Sequence, residues 1–141
     1  MTKVNQTIAK IMDERFGCDN VISLATHDDE RLAVRSVNAY YENSAFYIVT
    51  YGLSNKMQQI GKNRDVAVCG EWFNAHGIAE NLGHVLRPEN REIMSKLRVM
   101  FAEWYDNGHT NESDANTVLL RINLTDGTLF SHGTRYDVDF T

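Results

Sequence analysis

The chain has 141 residues, 43% of them hydrophobic and 23% charged, with nine Gly and a single Pro. Fourteen basic against 19 acidic residues give a formal net charge of −5, which argues against nucleic acid as the main partner, since phosphate-backbone binders carry the opposite balance. The composition excludes disorder, collagen-like repeats and a disulfide scaffold, and no apolar run approaches the roughly 20 residues that cross a bilayer. One domain over residues 1–141 is therefore expected, with no membrane partner. Charges in the first 17 residues, where a signal peptide needs an apolar stretch, point to a cytoplasmic location. Cys18 and Cys69 share no short metal spacing and are expected to stay reduced there.

In chain order, Ile8, Ile11, Met12 and Phe16 recur at helical spacing, predicting an amphipathic helix over 3–16 ended by Gly17. Two β-rich runs, 21–27 and 31–41, flank the acidic turn Asp28-Asp29-Glu30 and read as a hairpin. A further strand is expected at 45–51. A short helix follows at 54–63, opened by Ser54 as N-cap. The apolar run VAVCGEWF (66–73) reads as a strand and 76–86 as a long extended segment. Pro88, Glu89 and Glu92 suit a helix start, and Ile93, Leu97, Met100, Phe101 and Trp104 give that helix one apolar face as far as Asn107-Gly108. Residues 109–116 read as a mobile polar loop. A last hairpin is expected from 117–124 and 128–140, turning at Thr125-Asp126-Gly127. Together these elements predict a mainly β (α+β) fold, an antiparallel barrel of six or seven strands with flanking helices.

The chemistry concentrates between residues 35 and 56. Ser54, Asn55 and Lys56 open the short helix, where unpaired N–H groups and the positive dipole end favour an anion. Their hydroxyl, amide and ammonium add side-chain donors. Taken alone, the three also read as a cap followed by two solvated polar residues. Arg35 shifts the balance, because it lies mid-strand among Val and Ala, where a charge needs a partner or an exit to water. Hairpin pairing of 31–41 with 45–51 would bring it near Ser54–Lys56, and two cations at one helix start suit a phosphate.

The run RSVNAYYENSAFYIVTYGLSNKMQQIGKNRDVAVCGEW resembles the FMN-binding split β-barrel of the pyridoxamine 5′-phosphate oxidase-like proteins. The similarity spans about Val21 to Gly83 and rests on Arg-x-Val, Thr-x-x-x-Ser-x-Lys, Gln-Ile-x-x-Asn and Val-Ala-Val taken together. The resemblance implies that Arg35, Ser54 and Lys56 hold a flavin phosphate, with Asn55 where many members place a second basic residue. It implies that the isoalloxazine ring lies against Ser36, Val37, Asn38, Val49 and Thr50. It further implies a homodimer with FMN at the subunit interface, Trp72 reaching the partner's site, and Ile78 in place of a ring-contacting glutamine. The end of the chain, GTRYDVDFT, lacks the Arg-x-His substrate signature of the vitamin B6 oxidases.

Other residues carry weaker signals. His27, His76, His84, His109 and His132 show no metal-ligand spacing, although His76 and His132 are within possible reach of a substrate pocket. Cys69 is expected to be small and buried. Glu71 reads as a strand-end carboxylate or a flavin neighbour, and Tyr40 and Tyr41 as interface residues or exposed hairpin-end tyrosines. The expected function is an FMN-dependent oxidoreductase acting on a small molecule, with no side chain proposed as acid, base or nucleophile. A non-catalytic flavin carrier or sensor, or the same barrel holding haem or a deazaflavin, are the alternatives.

Overall fold

A computed structural model describes residues 1–108 and 110–141. Its first elements are β1 (Thr2–Lys3), α1 (Gln6–Phe16), β2 (Asn20–Asp28), β3 (Arg31–Glu42), β4 (Ala45–Tyr51) and α2 (Asn55–Lys62). They are followed by β5 (Asp65–Gly70), β6 (Phe73–His84), a 3₁₀ turn at Pro88–Asn90, α3 (Arg91–Met100), β7 (Thr117–Ser131) and β8 (Thr134–Asp139). Strands β7, β4, β3, β2, β5 and β6 are joined in that order, and β6 pairs back onto β7. The six close a barrel that is antiparallel throughout. Strands β8 and β1 extend the sheet beyond β7. The architecture is the expected split barrel with flanking helices, carried by eight strands.

Strand parity decides what lies inside. Ile22 and Leu24 on β2, Val37, Ala39 and Tyr41 on β3, Phe46 and Ile48 on β4, and Val66 and Val68 on β5 fill the barrel. Phe46, fully buried, meets Phe16 and Tyr41 edge-on, with ring centroids 5.6 and 5.5 Å away. Helices α1 and α2 close the barrel with Ile8, Met12 and Phe16 and with Met57 and Ile60. Helix α3 packs on the outside, where Met94, Leu97 and Phe101 form a second core with Tyr40 and Leu119.

Several boundaries differ from the sequence expectation, each for a local reason. Helix α1 starts at Gln6 rather than residue 3, because the Asn5 carboxamide oxygen accepts from the Ile8 amide and caps it, leaving Thr2–Lys3 free to pair with β8. The strand expected at 66–73 breaks at Glu71-Trp72, where Trp72 adopts a left-handed φ of 53°, and the next strand starts at Phe73. Helix α3 ends at Met100, short of Trp104. Leu97 and Phe101 are fully buried as expected, with Ile93 and Trp104 packed against them, while Met100 is exposed and Met94 is buried in its stead. Residues 110–116 are held in turns by Thr117 Oγ1 donating to the Asn111 carbonyl and by the Arg98–Glu112 ion pair; His109 lies outside the described residues.

The expected turn at Thr125-Asp126-Gly127 does not exist. Strand β7 runs straight through it for 15 residues and turns only at His132-Gly133. The polar triplet marks a β-bulge instead. His76 pairs with Asp126 and Gly77 with Leu124, so Thr125 has no partner on β6. Gly127 is required there because a Cβ would sit 2.6 Å from the Asn74 carbonyl oxygen and 2.8 Å from the Ala75 Cβ. Gly127→Ala is therefore expected to destabilise the fold by about 1–3 kcal/mol, the range for overpacking, measured as a lower urea midpoint.

Two burial expectations are also corrected. Cys69 is exposed, because it alternates with the inward-facing Val66 and Val68. Tyr40 and Tyr41 are both buried, one under α3 and the other inside the barrel, and neither is an exposed hairpin-end residue.

Candidate anion and cofactor site

Strands β3 and β4 pair over just three residues, Tyr40–Glu42 with Ala45–Tyr47. Beyond them β3 continues paired to β2 and β4 continues paired to β7. Two strand edges thus lack a ladder partner on the same side, and this is the split in the barrel. The edges leave main-chain N–H and C=O groups available to a ligand. Helix α2 begins at the open end, four residues after β4.

Arg35, Thr26, Thr50, Ser54, Lys56 and Gln59 meet there. Parity turns Arg35 to the barrel side with Val37 and Ala39, opposite Leu24. Its Nη1 donates to the Leu24 carbonyl at 3.0 Å and to Thr26 Oγ1 at 2.9 Å, and its Nη2 donates to Gln59 Oε1 at 2.8 Å. Thr26 in turn donates to Gln59 Oε1 at 2.6 Å. Lys56 donates to Thr50 Oγ1 and, at 3.3 Å, to the capping hydroxyl of Ser54. Every acceptor in this group is neutral. Neither cation is ion-paired with a carboxylate among the described residues. A guanidinium has five N–H groups, so Arg35 retains two without an acceptor among the described residues.

That arrangement is electrostatically incomplete. Burial pushes the Arg35 pKa down, and burial followed by the charge of Arg35 pushes Lys56 down. Two half-buried cations repel each other beside a helix N-terminus that is itself positive. An anion placed among them would reverse each of these penalties.

The other residues expected at the site divide by parity. Thr50 joins the cluster through Lys56, and Val37 is buried beneath it in the barrel core. Ser36 and Asn38 lie on the outer face of β3. Asn38 donates through Nδ2 to Asp19 Oδ1 at 3.2 Å, while Asp19 Oδ2 accepts from Trp104 Nε1 at 2.9 Å. Val49 also faces outward, packed against the α3 core. Asn55 is exposed at the first helical position. Trp72 stands apart at the β5–β6 turn, 69% exposed against Phe130, and does not join the cluster of its own chain. Ile78 is half-buried opposite Asp65 and Asn123.

Thr26 and Gln59 were not assigned a role by sequence reasoning. Thr26 was detectable as a polar residue at an inward position of VISLATH, and Gln59 opens the Gln-Ile-x-x-Asn run. The histidines are scattered: His76 Nδ1 meets Asp126 Oδ2 at 2.9 Å and His84 Nε2 meets the Asp114 carbonyl at 3.0 Å. Among the described residues no group of three or more His, Cys, Asp or Glu is arranged to hold a metal, and no helix is long and apolar enough to cross a membrane.

The barrel, its split and the helix capping the open end define the pyridoxamine 5′-phosphate oxidase-like split-barrel fold. The chain is similar to a NimC/NimA family protein from Clostridium acetobutylicum, with a TM-score of 0.68 and 18% identity over 92% of each chain. It is similar to an FAD-binding protein from Mesorhizobium loti, with a TM-score of 0.67 and 15% identity over 88% of this chain and 92% of that one. A protein related to general stress protein 26, of the pyridoxinephosphate oxidase family and also from C. acetobutylicum, superposes with a TM-score of 0.66 and 11% identity over 96% of each chain. At these identities the likeness is one of fold. No family model and no curated protein sequence matches the chain.

Proposed function

We propose that this protein is a flavoprotein that holds a flavin by its phosphate, FMN being the smallest such ligand, and that it serves as an oxidoreductase for a small molecule. The observation that carries this reading is the pair of half-buried cations, Arg35 and Lys56, that have only neutral acceptors and converge on the N-terminus of α2. A phosphate among them gains charge-assisted hydrogen bonds from both side chains and from the Ser54 hydroxyl. The free strand edges at the split suit the amide-like rim of an isoalloxazine ring, which needs both donors and acceptors. Bound flavin would supply the redox chemistry, and the chain would bind, orient and shield it. Thr26 and Gln59 fix the Arg35 guanidinium, and Asp19 fixes Asn38 with its Oδ1 left open.

The reading includes a cytoplasmic homodimer. Val21, Leu32 and Val34 are 61%, 80% and 69% exposed on the outer face of the β2–β3 hairpin, and an apolar patch of this kind suits a second copy. Trp72 is then free to serve the partner's site. Light scattering is expected to give twice the 16.1 kDa chain mass; a monomer that still retains flavin would defeat the shared site.

One protein of this fold, from Mycobacterium smegmatis, is named a haem-binding protein. The absorption spectrum of purified protein, recorded after incubation with FMN or haem and removal of free ligand, separates the two. Retained flavin bands support the proposal. A Soret band with no retained flavin overturns it.

A further inference from the structure

The split in the barrel has an anionic side as well as a cationic one. Asp19 lies half-buried in the connection between α1 and β2, and no cation pairs with its carboxylate among the described residues. Two N–H donors hold it instead, Asn38 Nδ2 at 3.2 Å and Trp104 Nε1 at 2.9 Å. The arrangement is anchored on both sides. Trp104 packs on Phe101 and Tyr105 of the second core, with ring centroids 4.8 and 5.9 Å away. The Asn20 carboxamide ties the connection that carries Asp19 to β3, donating to the carbonyls of Cys18 at 3.0 Å and Ala39 at 2.9 Å. Asn38 itself stands at the mouth of the split: it pairs with Val21 on β2, whereas the β3–β4 ladder begins only at Tyr40. With Nδ2 committed to Asp19, Asn38 Oδ1 is left as an acceptor with no donor among the described residues. Donation to a carboxylate polarises the amide and makes that oxygen a stronger acceptor.

We propose that Asn38 Oδ1 accepts the imide N3–H of the isoalloxazine ring, and that Asp19 is the positioning residue that keeps this oxygen, not the amide nitrogen, turned to the ring. The inference rests on the flavin reading above and adds a contact that selects the ring rather than the phosphate. The imide N–H is the one N–H of the oxidised ring, and it is acidic, so a strong and fixed acceptor is its natural partner. The two carbonyls beside it need donors, and the open main-chain edges of the split supply groups of that kind. A carboxamide free to turn would offer a donor or an acceptor equally. Asp19 removes that choice. Arg35 lies three residues back on the same strand, about 10 Å of extended chain, a separation that the ribityl chain and the inner part of the ring cover together. Methylation at N3 removes the donor, and the polarised acceptor is then left unpaired beside the ligand.

The test is a fluorescence titration of the full chain with FMN, riboflavin and the N3-methyl form of each, in wild type, Asn38→Ala and Asp19→Asn. Wild type is expected to bind FMN about ten-fold tighter than N3-methyl FMN, the effect of one hydrogen bond to a polarised acceptor. Asn38→Ala should cut that preference to about two-fold or less, and Asp19→Asn should reduce it at least about three-fold, because the contact couples ring and side chain. The ratio of FMN to riboflavin affinity should stay as in wild type in both variants, which separates positioning of the ring from a general loss of structure. Wild type binding the two FMN forms alike, or a preference unchanged in either variant, overturns the imide contact and leaves the phosphate reading standing. FMN binding no tighter than riboflavin removes the phosphate reading, while the two riboflavin forms still decide the imide contact. No binding of any flavin overturns both.

Discussion

Lys56→Ala is expected to weaken FMN binding by roughly ten- to hundred-fold and to leave riboflavin affinity unchanged. A charge-assisted hydrogen bond to phosphate is worth about 1.5–3 kcal/mol, and each factor of ten in affinity is about 1.4 kcal/mol. Lys62→Ala, at the last position of α2, is the control for net charge. Equal weakening by both substitutions would mean general electrostatics. Lys56 is half-buried with a lowered pKa, so it is no ordinary solvated surface lysine, and this sharpens the expectation. A lysine whose folded pKa lies below its unfolded value binds fewer protons in the native state, so the ligand-free fold gains stability as pH rises through that folded pKa toward the unfolded value. Removing the ammonium removes the penalty, and ligand-free Lys56→Ala should melt at or above ligand-free wild type. Binding and stability then move in opposite directions, a pattern that marks a functional rather than a structural charge.

Phe46→Ala is expected to lower stability by about 3–5 kcal/mol, the range for deleting a buried aromatic. Phe46 is fully buried and touches the rings of Phe16, Tyr41 and Phe73. It therefore links α1 to strands β3 and β6 across the barrel interior. For a domain of this size the loss corresponds to a drop in melting temperature of roughly 10–15 °C, measurable by circular dichroism. Cys69→Ser, by contrast, should leave the melting temperature within about 2 °C, because the thiol is exposed and surface changes rarely exceed about 0.5 kcal/mol.

Much of this architecture was legible because periodicity and turn chemistry act locally. The β2–β3 hairpin, strand β4 and the capped start of α2 each follow from alternation, from Asp29 and Asn43 at left-handed turn positions, and from Ser54. The failures share one cause. Thr125-Asp126-Gly127 carries turn chemistry, yet contact with β4, β6 and β8 keeps β7 extended, and the triplet becomes a bulge. No local rule contains that information. The same holds at the site. Arg35, Ser54 and Lys56 were found from residue type and resemblance, but Thr26 and Gln59 matter only because β2 and α2 converge on Arg35. Residues 36–38 and 49–50 look contiguous in sequence, and strand parity sends alternate members to opposite faces. Trp72 sits exposed at the β5–β6 turn, away from the cluster of its own chain.

The central claim is that Arg35 and Lys56 await a phosphate. Its most direct test is a paired calorimetric titration of the wild-type protein with FMN and with riboflavin, which differ only in that group. Contacts from two cations should make FMN bind more tightly by at least roughly a hundred-fold, and the difference should shrink as salt is raised. Equal affinities for the two ligands would contradict the account.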